Sequence, residues 1–462
     1  LMAVYNEELI KLGKPATPPM SADSLTNFAW VAEDPDAAWQ QIAPHAMHET
    51  NAYGEWMAAS DMSDENSTFK LHSDPDELRA SGAYPIFTPD ELIERARGMG
   101  PMDTIMFHPL MGGIEPAREY LLQAIGAGAD VVTANKALLC EHGDELFTRA
   151  RELGRSIAFE AAVAGGIPII AIIGQSMTAS QVTSIEAILN GTSNFILTQM
   201  LATNRPYDEV LGQAQQLGYA EADPTFDIGG FDAAHKLAIL TSLAFGTEID
   251  IDSVYVEGIQ SITAEDIAAA TELGYTIKLL AVAQKTDTGI EQRVHPTMIP
   301  AEAAMAQISG VTNAVTVDTD LLGSIMLAGP GAGGNATASA VLSDVMDLAT
   351  GVVPPTFAVP PDRLVPYERA RMRAHEGGYY IRLSVRDRVG AFASIATRMA
   401  ENGISLESIV QRKSAGAADV ASAMVVLVTH ETTEEAIRLA LKAISEDGHL
   451  SGDPQMIRIE HL

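Results

Sequence analysis

The sequence predicts an α/β chain in three parts. These are a parallel-sheet domain whose first β-α unit is atypical or missing, a mixed-sheet α+β domain, and a C-terminal ferredoxin-like domain. Three observations carry the prediction. Short apolar runs alternate with helix-length patterns between Thr104 and Phe159, as βαβ units do. The middle third, about Phe159–Met326, mixes strand runs, helical patterns and a hairpin signal. Residues 378–462 read β-α-β-β-α-β, the ferredoxin-like order. A length of 462 residues suits about three domains at roughly 150 residues each.

In order along the chain, residues 1–100 offer helical patterns at Asn6–Leu12, Pro35–Ile42 and Pro89–Arg97, a polar loop at Ser60–Ser73, and little that reads as a core. Thr88-Pro89-Asp90-Glu91 has the form of a capping box with proline at the first helical position. Thr104–Phe107 reads as strand, Pro116–Ala127 as helix stopped by Gly128, Val131–Ala134 as strand, Leu139–Leu153 as helix and Ile157–Phe159 as strand. Ser184–Leu189 is strand-like, and helices follow at Tyr207–Leu217 and Phe231–Phe245. Lys278–Gln284 and Ile290–Val294 flank Thr286-Asp287-Thr288-Gly289, a hairpin turn. Gly329-Pro330-Gly331-Ala332-Gly333-Gly334 opens an apolar helix at Thr337–Leu348. Prolines 354, 355, 360, 361 and 366 mark a linker over 352–377. The last domain takes strands Tyr379–Val385, Leu406–Gln411, Ala423–Thr429 and Met456–Glu460, with helices Ala391–Asn402 and Thr433–Ser445. The expected boundaries are 1–155, 156–328 and 378–462, with 329–351 packing back on the first domain.

Lysine and arginine total 29 against 61 aspartate and glutamate, a formal charge of −32. Such a surface repels phosphate backbones and anionic lipid, so neither nucleic acid nor a membrane is an expected partner. No apolar stretch reaches the roughly 18 residues of a membrane helix. The single cysteine, Cys140, excludes an intrachain disulfide framework and suits a reducing cytoplasm.

Four groups of residues carry chemistry. Asp232 and Lys236 lie four apart on the Phe231–Phe245 helix and share a face. They read either as a surface ion pair or, on a helix so apolar, as a desolvated pair with a lysine fit for proton transfer. Glu221, Asp223 and Asp227 are either an acidic loop or a site for a cation such as the ammonium of an amino acid. Lys136 follows a strand and precedes a helix, where ligands of open parallel sheets sit, and would hold a carboxylate or a nucleotide phosphate. The loop Glu160–Ile167, bounded by Pro168, is either a plain turn or a set of carbonyls beside one carboxylate suited to a hard cation.

Several longer stretches then fit one pattern. Val132–Leu139, Phe159–Ile170, Ile188–Asn194, Leu217–Asp227, Asp232–Leu240, Val256–Ile259, Val294-His295-Pro296 and Gly329–Gly333 resemble homoserine dehydrogenase, in order and at matching spacings from about residue 104 to 350. Residues 378–462 resemble an ACT domain, an amino-acid-sensing regulatory module. The resemblance implies a Rossmann-like first domain, a substrate and dimerisation domain, and reduction of L-aspartate 4-semialdehyde to L-homoserine with NADP or NAD as cofactor. It implies a homodimer or homotetramer, with an amino-acid effector at the ACT domain. It implies Lys236 as proton donor with Asp232 as its partner, and Glu221 on the substrate's amino group. Tyr219, Asp227, Gly191 and Thr192 would line the same site, with Lys136 near nicotinamide and substrate and Gly331 near the cofactor. Glu160 with the carbonyls of Val163, Gly165 and Ile167 matches the family's sodium loop.

The chain also departs from the family. The family opens with a strand and a Gly-x-Gly-x-x-Gly loop that binds the pyrophosphate. Residues 1–103 hold Gly13, Gly54, Gly82, Gly98 and Gly100 and no such loop. Because residue 1 is leucine, loss of N-terminal sequence is the favoured expectation. The competing reading is an amino-acid-binding regulatory homologue without a working dinucleotide site. A different dehydrogenase on the same fold is disfavoured by the Glu221–Asp227 and Asp232/Lys236 match. In the ACT domain, Asp387-Arg388-Val389-Gly390 stands where the family often has aspartate, any residue, proline, glycine.

Overall fold

The structure is a computed structural model that describes residues 25–32, 34–59, 71–91, 94, 104–107, 114–221, 223–352, 363–370, 376–386, 388–413 and 422–460. The pattern read at Asn6–Leu12, most of the Ser60–Ser73 loop, Gly98 and Gly100, most of the proline-rich linker, and Asp387 lie outside the described residues. The chain divides into two compact units, one of residues 1–124 with 349–352, the other of residues 125–348 with 353–462.

In the first unit, β1 (Leu25–Val31) is the middle strand of a parallel sheet of order β2-β1-β3, with β2 at Ile86–Phe87 and β3 at Thr104–Phe107. The chain runs to one side of β1 and returns across it to the other, the reversal that defines a doubly wound sheet. Helix α1 (Pro35–Ala59) turns Trp39, Ile42, Ala43 and Ala46 onto one face, at the i, i+3, i+4, i+7 spacing of a buried stripe. Leu78 of α2 (Pro75–Ala80) and Tyr84 complete a core there. The expectation of little core in this region is therefore corrected. Pro44 stands inside α1 and ends the helical reading at Ile42, and Thr26-Asn27 interrupts the apolar run of β1. The capping box at Thr88 is present, its amide bonded to Glu91 at 2.8 Å. Helix α3 spans Ile114–Gly126 and is followed by Gly128 at φ +93°.

In the second unit, β4 (Val131–Val132) and β5 (Ile157–Ala158) pair in parallel around α4 (Lys136–Glu152). α4 begins at Lys136, three residues before the expected start, because Asn135 caps it by accepting the Leu138 amide at 3.1 Å. A large mixed sheet follows. It is built from β6 (Val182–Ile188), β8 (Tyr275–Thr286), β9 (Gly289–Pro300), β10 (Thr312–Thr319) and β11 (Gly323–Pro330). Helices α5 (Gly191–Thr203), α6 (Tyr207–Gln216), α7 (Phe231–Phe245) and α8 (Ala264–Glu272) accompany it, and the two-residue strand β7 (Tyr255–Val256) pairs with β9. After β11 comes α9 (Gly334–Thr350).

The C-terminal part has β12 (Glu376–Arg386), α10 (Ala391–Glu401), β13 (Leu406–Lys413), β14 (Ser422–Thr429), α11 (Glu434–Glu446) and β15 (Gln455–Ile459). Its strands lie in the antiparallel order β15-β12-β14-β13 over Tyr379, Ile381, Leu383, Ile395, Met399, Leu427, Ile437 and Ile444. β15 also pairs with β9, through Arg458 with Thr297 and Ile459 with Met298, so one sheet runs from β11 to β13. Side chains reinforce the seam. Arg382 and the Tyr380 hydroxyl both bond Asp266, the third residue of α8, at 2.7 and 2.9 Å. Of the linker, residues 363–370 lie along this unit, Val365 bonding Glu248 and Glu368 bonding Ile290.

Candidate active site

Gly230 precedes α7 and takes φ +85°, which lets the chain turn sharply into the helix. Asp232 and Lys236 follow one turn apart. Lys236 Nζ donates to Asp232 Oδ2 at 2.7 Å and to the Leu189 carbonyl at 2.8 Å. From α4, Lys136 Nζ lies 3.2 Å from the other oxygen of Asp232. The Lys236 and Asp232 side chains are 12% and 7% exposed, so this is a desolvated pair and not a surface one. Burial alone would raise the Asp232 carboxyl, but the two ammonium groups and the bonds from Lys236 and Asn190 hold it well below the ordinary carboxylate range.

Asn190 organises the other side. Its Oδ1 caps α5 by accepting the Ser193 amide at 2.8 Å, while Nδ2 donates to Asp227 at 2.8 Å and to Asp232 at 2.9 Å. Burial pushes the Asp227 carboxyl up, against the pull of the Asn190 bond. Gly191 passes so close to the Val311 carbonyl that a Cβ would lie 2.8 Å from it. Thr192 donates to the Tyr219 carbonyl at 2.6 Å, and the Tyr219 ring meets Phe195 edge-on at 5.0 Å. Glu221 is exposed on the segment between Tyr219 and Asp227, while Asp223 spends its carboxylate on Thr225.

Lys136, Lys236, Asp232 and Asp227 are thus gathered about one point, with Thr192 and Tyr219 on the same segments. Gly331 lies against Asn313, whose Nδ2 donates to the Leu189 carbonyl at 3.0 Å. Asn190, Asn313 and the Leu189 carbonyl were not singled out from sequence. The signal available was the asparagine at the end of the Ser184–Leu189 strand run, a residue type suited to capping a helix.

The Glu160 loop adjoins the same turn, since a Cβ on Gly165 (φ +51°) would lie 2.5 Å from the Gly331 carbonyl. Burial pushes Glu160 up to about 7 and Asp344, which accepts the Glu160 amide at 2.9 Å, up to about 6. Such a pair fits a neighbouring monovalent cation, which would offset its charge. Glu160 also accepts the Ile170 and Ala171 amides, and Ile167 accepts that of Ile169.

The turn after β1 fits a dinucleotide pyrophosphate poorly. It ends in Asp34, whose Oδ1 takes the amides of Asp36 and Ala37 at 3.0 Å each, the donors a phosphate would need. Asp36 adds a second negative charge.

Known proteins share this chain's sequence over most of its length. It is 45% identical to homoserine dehydrogenase of Pseudomonas aeruginosa over 361 residues, covering 76% of this chain and 82% of that one. The chain belongs to the homoserine dehydrogenase family. The Neisseria gonorrhoeae homoserine dehydrogenase is 43% identical over 359 residues, with the same coverage. The crystal structure of a homoserine dehydrogenase from Thiobacillus denitrificans superposes with a TM-score of 0.72 at 36% identity, covering 95% of this chain and 98% of that one. Family models described as homoserine dehydrogenase, homoserine dehydrogenase NAD binding domain and ACT domain match residues 168–346, 110–160 and 379–448. As a member of that family the chain is an oxidoreductase, with an NAD-binding domain and a C-terminal ACT domain. Among the described residues no helix is long and apolar enough to cross a membrane.

Proposed function

We propose that this chain interconverts L-aspartate 4-semialdehyde and L-homoserine with NADP or NAD, the step common to threonine and methionine synthesis. The observation that carries the reading is the Lys236 ammonium. Of its three N–H bonds, one goes to Asp232 and one to the Leu189 carbonyl. Among the described residues the third has no acceptor, which leaves it for a substrate oxygen. As the aldehyde gains electrons, that hydrogen stabilises and then protonates the alkoxide. In the reverse direction the neutral amine takes the hydroxyl proton. Asp232 keeps Lys236 aimed, and Lys136 supplies a second positive charge. Exposed Glu221 takes the substrate's ammonium, with Tyr219, Asp227, Gly191 and Thr192 beside it.

The same reading assigns residues 1–155 to the dinucleotide, 156–328 to the substrate, 352–377 to a linker and 378–462 to an amino-acid effector. It places Gly331 near the cofactor and sodium at Glu160, Val163, Gly165 and Ile167. It also takes the enzyme as a cytoplasmic homodimer or homotetramer. Lys236→Ala tests it. Homoserine oxidation should fall by about 10²–10⁴-fold with the circular dichroism spectrum unchanged. Normal turnover in the variant would overturn the assignment.

A further inference from the structure

We infer that Asn313 is a positioning residue for the proton that Lys236 carries, an inference that rests on the function proposed above. Asn313 lies on β10 and is 1% exposed. Its Nδ2 and the Lys236 Nζ converge on one acceptor, the Leu189 carbonyl, at 3.0 and 2.8 Å. A carbonyl oxygen has two lone pairs, so these donors fill it. Leu189 stands directly before Asn190, which bridges Asp227 and Asp232. Asn313 thereby pins the one neutral acceptor among the described residues that fixes the rotation of the Lys236 ammonium, and with it the direction of the remaining N–H.

Two further observations single out this amide. Among the described residues the buried Asn313 Oδ1 has no hydrogen-bond partner, an unfavourable arrangement that an apolar side chain would avoid. An amide is present nonetheless, and its Nδ2 bond is the gain that accompanies it. The neighbouring turn is also shaped to it. A Cβ on residue 331 would lie 2.1–2.2 Å from the Asn313 amide atoms, so glycine is required there for the turn to close over Asn313.

The electrostatic consequence is specific. A hydrogen bond from Asn313 draws off part of the Leu189 carbonyl's accepting power. Without it the carbonyl serves the ammonium alone, and a bond to the charged form favours that form. Homoserine oxidation needs the neutral amine, so its onset with rising pH moves upward.

The experiment compares Asn313→Leu and Asn313→Ala, neither of which adds a charge beside Lys236, with the wild type and Lys236→Ala. It records kcat and KM for homoserine across pH and folding by circular dichroism. The expected result is a kcat lower by about tenfold, a homoserine KM within about twofold, and a rising limb shifted up by at least about half a pH unit. An unmoved limb in a folded variant overturns the inference, whatever happens to kcat. If Asn313→Leu does not fold, Asn313→Ala decides by the same limb; failure of both to fold overturns the inference in favour of a core role. Should Lys236→Ala retain turnover, the proposed function fails instead, and the two failures are read apart.

Discussion

Nη1 of Arg458, on the final strand of the ACT domain, lies 3.2 Å from Oε2 of Glu257, directly after β7 of the catalytic part. Arg458 is 2% exposed and also bonds Glu434 through Nε and Nη2, both at 2.9 Å, with the Tyr255 ring 5.1 Å away. Glu257 in turn bonds Val294 through its amide, and Ile259 bonds the Ile228 carbonyl just before α7. One guanidinium therefore ties the terminal domain to the residues that lead into Asp232 and Lys236.

Breaking a buried ion pair by removing one partner strands the other charge. Arg458→Met is expected to cost roughly 3–5 kcal/mol in stability by denaturant titration. A loss below about 1 kcal/mol would show that Glu434 and Glu257 find other partners.

Glu221→Gln keeps shape but removes the charge assigned to the substrate's ammonium. A charge-assisted hydrogen bond contributes about 1.5–3 kcal/mol, so KM for homoserine should rise about 10–100-fold with little change in kcat. Steady-state kinetics with saturating cofactor checks this, and an unchanged KM places the ammonium elsewhere.

Glu160 and Asp344 carry a pH signature. Their folded values, about 7 and about 6, stand above the ordinary 4.5 and 3.8. The folded protein therefore holds protons that the unfolded chain has released. This contribution is full below the ordinary values and is lost as pH rises through about 6 to 7. In low-sodium buffer, melting temperature should fall across that window, and Glu160→Gln should flatten the fall. Sodium chloride at pH 7.5, compared with an equal concentration of choline chloride, should stabilise the wild type and leave Glu160→Gln unmoved. An equal response of both proteins would sink the sodium assignment.

Asp34→Gly removes the carboxylate that occupies the amides of Asp36 and Ala37. NADPH affinity, followed by fluorescence quenching, should increase several-fold as like-charge repulsion is relieved. An unchanged Kd would show that the pyrophosphate lies away from the β1 turn.

Legibility in the sequence followed local signals. α7 was read at its true ends because glycines in left-handed backbone, Gly230 and Gly246, bound it. The ACT strands were read to within a few residues from the order of strand and helix runs. α5 was missed because Phe195, Ile196, Leu197 and Met200 bury it on several sides, leaving no polar stripe to show a period of 3.6. β10 and β11 were missed where polar residues and glycines break the run. In the site, the four-residue spacing of Asp232 and Lys236 was enough to put them on one face. The approach of Lys136 to Asp232 depends on α4 packing against α7 across nearly a hundred residues of chain, which no local pattern encodes.

The shared sheet has a practical consequence for protein engineering. A hybrid that exchanges this ACT segment for one from another protein must import a last strand that registers with Thr297 and Met298 and carries a matching arginine. Otherwise the graft opens a raw sheet edge in the catalytic half, and the hybrid would precipitate before it could be assayed.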